Sequence, residues 1–151
     1  MIYDTTNLEN PKELSKIIVK GKSEFILWNF DHHAFTIDEK HKRFFIPVKR
    51  KYYWRNGEGF IEVFKGGNKI KTLIIPNSSI EYVLVVNYNA TSLTLNKTLK
   101  HDNVRRTLYI NNFVYTISKD KIKKWTRDNL EFVKWIKIGE KVDEWWPIKG
   151  I

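Results

Sequence analysis

Thirteen central residues, RFFIPVKRKYYWR (Arg43–Arg55), alternate with a period of two, and this pattern constrains the fold most. Phe44, Ile46, Val48, Tyr52 and Trp54 fall on one side, with Arg50 among them. Arg43, Phe45, Pro47, Lys49, Lys51, Tyr53 and Arg55 fall on the other. A helix would scatter these residues around its axis, whereas a strand gives one apolar and one polar face. Pro47 has no N–H for a ladder, so it marks an edge or a bulge.

Turn signals divide the rest of the chain into similar short runs. Asn56-Gly57 is a hairpin dipeptide that would set Arg55 opposite Glu58, Tyr53 opposite Phe60 and Lys51 opposite Glu62. KGGN folds Phe60–Lys65 onto Lys69–Ile75. Asn89-Ala90 joins IEYVLVVNY to TSLTLN, and Asn111-Asn112 closes a hairpin within RRTLYINNFVYTIS. SEFILWNF reads as a buried strand.

Two segments read as helices. In NPKELSKIIVKG, Asn10 suits an N-cap, Pro11 the first helical position, Glu13 a capping box and Gly21 the stop. In SKDKIKKWTRDNLEFVKWIKIG, Ile122, Trp125, Phe132, Val133 and Ile136 share a helical face, with a break near Asp128-Asn129. The expected architecture is therefore a single α+β domain over residues 1–151. It has a strongly curved, mainly antiparallel sheet or partial barrel of about eight or nine short strands. A short N-terminal helix and a longer C-terminal helix complete it.

A chain of 151 residues buries enough surface to fold without staples, and it has no cysteine for disulfides or thiolate metal sites. Neither a leader-like start nor an apolar run of membrane-spanning length is visible, so an intracellular, cytoplasmic protein is expected. The net charge is +10, and Lys40 to Arg55 carries seven Lys or Arg and no acid, leaving +3 for the rest. Such concentrated basicity favours an anionic partner, DNA or RNA above all.

Four groups of residues could carry chemistry. Arg43, Lys49, Lys51 and Arg55 interleave with Phe45 and Tyr53, a pairing that neutralises phosphates and stacks bases with little sequence preference. Lys123, Lys124, Arg127 and Lys134 line the polar side of the expected C-terminal helix and extend that surface. Asp31, His32, His33, Asp38, Glu39 and His41 are potential metal ligands or acid–base groups. Glu62, flanked by Lys51 and Lys71 across neighbouring strands, would serve a nuclease that binds Mg or Mn. In that reading Glu62, Lys71 and His33 are catalytic, and Asp31, His32, Asp38 and Glu39 hold the metal.

FILWNF running into Asp31-His32-His33 resembles the strand-then-Asp-His-His motif of the DHH phosphoesterases. The likeness covers those three residues and one strand. That family's further aspartate motifs, on earlier strands, have no counterpart in the thirty preceding residues, and no family is assigned. The leading expectation is a nucleic-acid-binding protein without catalysis or cofactor. A metal-dependent nuclease or phosphoesterase is the alternative, and an oligomerising structural or protein-interaction module is the third reading.

Overall fold

A computed structural model describes residues 1–21, 25–27, 35–50, 59–75 and 81–139. Asp31, His32, His33, Lys51, Tyr53, Arg55 and the Asn56-Gly57 turn lie outside the described residues. So do Trp145 and Trp146.

Every described element is a strand. They are β1 (Ile2–Asp4), β2 (Lys12–Gly21), β3 (Phe25–Leu27), β4 (Thr36–Asp38), β5 (Arg43–Arg50), β6 (Gly59–Lys65) and β7 (Asn68–Ile75). There follow β8 (Tyr82–Tyr88), β9 (Leu93–Lys100), β10 (Arg106–Ile110), β11 (Phe113–Ile117), β12 (Lys121–Thr126) and β13 (Phe132–Lys137). They form three antiparallel sheets. The first runs β1-β2-β6-β7 and the second β3-β5-β8-β9, with β4 also on β5. The third is the simple meander β10-β11-β12-β13.

The α+β expectation is thus corrected to all-β: the described residues contain no helix. Lys12–Gly21 is a ten-residue strand paired with both β1 and β6. Its run Ile17-Ile18-Val19 is β-branched and stiff at χ1, which favours a pleated surface. Ile17 and Val19 reach the core between the first two sheets. That burial outweighs the capping pattern upstream. Ser118–Ile138 is likewise not a helix but the hairpin β12–β13. The expected break, Asp128-Asn129, lies in its turn. Leu130 there takes a left-handed φ of 56°, and its N–H donates to the Thr126 carbonyl at 2.9 Å.

The second sheet is the middle layer. Val48, Tyr82, Leu84, Val86 and Leu93 pack on one side of it with Ile61 of the first sheet. Phe45, Val83, Val85 and Leu99 pack on the other side with Val114 and Trp125 of the third. This explains why β8 reads as an unbroken apolar run: both its faces are covered. In β9 a register shift opposite Val85/Val86 lets Leu93 and Leu95 face one core while Leu99 faces the other.

Pro47 sits where the pattern asked for an edge. On one side of β5, β4 pairs Arg43 to Phe45 and β3 pairs Val48 to Arg50. Pro47 falls between them, so its missing N–H breaks no ladder on that side. The meander expected from the Asn-Gly dipeptide does not form. Glu62 faces Ile18 and Thr72, and Phe60 faces Lys20 and Ile74, because β2 rather than β5 is the neighbour of β6. The KGGN, Asn89-Ala90 and Asn111-Asn112 hairpins form as expected.

Candidate binding surface

The polar side of β5 turns inward. Phe45 is 0% exposed and Arg43 2% exposed, because the third sheet covers that face. Phe45 is a core ring, with the Arg43 guanidinium 5.4 Å from its centroid. Lys49 pairs opposite Ile26 in the backbone register.

Arg43 is tolerated inside because of Asp38, its cross-strand partner and itself 0% exposed. The Asp38 carboxylate accepts from Arg127 Nη2 at 2.8 Å and Nε at 3.2 Å, and lies 3.2 Å from Arg43 Nη2. His41 Nδ1 approaches it at 3.0 Å, and His41 Nε2 meets Asp128 at 3.1 Å. Arg43 also donates to the Arg127 carbonyl. Burial pushes the Asp38 carboxyl up, but the Arg127 hydrogen bond and charge, with Arg43 and His41, outweigh it and hold it at about 2. This network clamps the β4–β5 corner of the middle sheet to the β12–β13 turn of the third. Both Asp38 oxygens are engaged by cationic donors, so its geometry is that of a structural ion cluster. Glu39 is exposed in the adjacent turn. Among the described residues no three His, Asp or Glu converge as a metal site.

Glu62 meets Lys69 at 3.4 Å rather than Lys71, which lies opposite Val63 and is exposed. A carboxylate and a lysine on neighbouring strands come together, but the lysine is two residues before the expected one.

A second buried polar cluster lies under the third sheet. Trp125 Nε1 donates to Thr116 Oγ1 at 3.0 Å, and Thr116 Oγ1 lies 2.7 Å from His101 Nδ1. Burial first, then the charges of Lys123 and Lys121, lower the His101 pKa to about 4, so the ring is neutral.

The third sheet also carries the open basic surface. Its ladder sets Lys121 directly opposite Lys137 on the face that carries Trp125, and Lys124 opposite Lys134 on the other face. Like charges in facing positions are unfavourable. Among the described residues none of Lys121, Lys123, Lys124, Lys134 and Lys137 has a carboxylate within ion-pair distance. Lys123 donates to the Lys100 carbonyl at 2.9 Å. Burial lowers its pKa, and Lys121 and Lys100 lower it further against an opposing Asp102. Lys124 Nζ sits 3.7 Å from the Phe113 ring centroid. Arg127, by contrast, is committed to Asp38 and lies over Tyr109 at 4.1 Å.

Of the sequence-predicted nucleic-acid residues, Lys123 shares a face with Lys121 and Lys137, Lys124 and Lys134 pair on the opposite face, and Arg43, Phe45 and Arg127 serve the interior and the clamp. Lys121, Lys137, Phe132 and Trp135 were missed. The period-two patterns KIKKWT and FVKWIK held the signal, but a helical reading put their residues on the wrong faces.

Three stacked antiparallel sheets, the last a four-stranded meander, are the blade-like units of a propeller architecture. Residues 1–130 match the family described as "Beta propeller domain", and the chain belongs to that family. An uncharacterized protein of Methanocaldococcus jannaschii is 29% identical over 141 residues, which cover 91% of this chain and 17% of that protein. An uncharacterized protein of Archaeoglobus fulgidus is 26% identical over 139 residues, covering 92% and 16%. The chain spans about a sixth of the length of the curated relatives it matches.

Proposed function

We propose that this propeller-family chain is a binding module without catalysis of its own, and that its third sheet takes nucleic acid. Fold alone leaves function open, so the reading rests on the site. The observation that carries it is Lys121 set directly against Lys137, with Lys123 and Trp135 on the same face and no carboxylate within ion-pair distance of these three lysines among the described residues. A surface selected only for solubility would intersperse charges of both signs. A polyphosphate backbone relieves the repulsion and releases counterions as it binds.

Titrating labelled oligonucleotides over a range of salt concentrations tests this. Replacing Lys121 and Lys137 together by Gln should lower the magnitude of the log–log salt slope by about 2, roughly one per lost phosphate contact. A slope equal to that of the unsubstituted protein removes the third sheet from the binding surface.

A further inference from the structure

We infer that the ligand of this surface is single-stranded nucleic acid, lying along β13 with a base stacked on Trp135; this rests on the nucleic-acid reading above. Trp135 lies directly opposite Lys123, and its indole is 55% exposed although the side chain is large and apolar. The Lys121 ammonium stands 5.3 Å from the ring centroid, so a cation already marks one side of the indole. Lys137 follows two residues along the same face, about 7 Å away at strand rise. Phe132, on the same face because β13 shifts register opposite Lys124/Trp125, meets Trp125 edge-on at 5.4 Å and is also exposed.

The strand therefore presents ring, ring and cation in a row, with further cations beside them on β12. Charge complementarity selects a polyanion. The exposed indole selects one whose bases have free faces, because in a duplex those faces are stacked on neighbouring pairs. A second copy of the chain is the poorer occupant: pairing β13 with its own copy would bring Lys134 and Lys137 toward the same lysines of the other copy.

The experiment measures anisotropy of labelled fifteen-nucleotide oligo-dT and oligo-U and of a hairpin duplex, at low salt, with the full chain. Trp135→Ala should weaken single-strand binding about five- to a hundred-fold, while Trp135→Phe keeps most of it and duplex affinity changes little. Thermal melting of both variants should match that of the unsubstituted protein, since the ring is exposed. Comparing oligo-dT with oligo-U tells DNA from RNA as the source of the strand. Equal losses on duplex and single strand, or undiminished single-strand binding by Trp135→Ala, overturn this inference and leave the nucleic-acid reading standing. Failure of the unsubstituted protein to bind any of the three probes overturns both. Conversion of a sedimenting dimer to a monomer by Trp135→Ala, with affinity intact, assigns the face to a second copy instead.

Discussion

Arg43 shows how far one residue's surroundings govern its role. Its position on the polar side of an alternating strand suggests a surface cation, yet it is buried against a buried carboxylate. Removing one partner from such a cluster is costly, because the other charge is left unsatisfied. Two of the buried titratable groups, His101 and Asp38, act in different pH windows. His101 has its pKa depressed to about 4, so the unfolded chain binds a proton more readily below the ordinary histidine range. Its contribution is complete above about 6.5 and fades as pH falls toward 4, a loss of about 3 kcal/mol by linkage. Asp38, held at about 2, keeps its contribution down to the ordinary carboxylate range and loses it as pH falls through about 2. Urea unfolding should therefore give a stability decline between pH 6.5 and 4 that His101→Asn flattens and Asp38→Asn leaves in slope. Asp38→Asn should lower stability at pH 7 by about 3–5 kcal/mol. If His101→Asn leaves the decline intact, another group is responsible for it.

At the scale of elements, legibility followed how local the signal was. The β6–β7 turn was readable because Gly66 and Gly67 take φ of 56° and 81°, which glycine reaches without strain. Nothing lies within 4 Å of a Cβ built at Gly67. Gly67→Ala should thus cost only the left-handed backbone penalty, about 1–2 kcal/mol, with an unchanged fold. A much larger fall in the unfolding midpoint would mean that the turn is packed. The opposite case is Leu130, left-handed yet buried in the second core, where packing holds a residue that backbone preference disfavours. Partners were less legible than strands. The alternation of β5 was clear, but its neighbour is β8 rather than β6, and sequence adjacency gives no sign of that. The expected helices failed for a related reason: short strands covered on one face can imitate helical spacing, and the deciding contacts come from distant residues. At the candidate site, the charge of Lys123, Lys124 and Lys134 was readable. That Lys123 shares a face with Lys121, Lys137 and Trp135 while Lys124 and Lys134 pair on the other required the β12–β13 register.

Across the whole molecule, burial is uneven. The middle sheet is covered on both faces, whereas the third sheet is covered on one. Val114, Thr116 and Trp125 point toward the second core. On the opposite face Leu108 lies against Tyr115, Ile110 against Phe113 and Ile136 against Ile122, and Ile110 and Ile136 are 56% and 52% exposed. Contiguous apolar surface of this kind is costly in water and promotes association. The relatives are about six times longer than this chain, so in a protein of their length further sheets of the same kind have the material to cover that face. The chain by itself should then associate in a concentration-dependent way through the uncovered face. Ile110→Thr combined with Ile136→Thr should shift sedimentation toward the monomer. Both side chains are more than half exposed, so stability should change by no more than about 1 kcal/mol. Thr is chosen because it keeps the β-branch that suits a strand while adding a hydroxyl that water can satisfy. Because these positions lie on the face opposite Trp135, oligonucleotide binding should be unaffected. A monomeric unsubstituted protein at high concentration would show that this face tolerates water. Loss of oligonucleotide binding in the double variant would join the two faces into one functional surface.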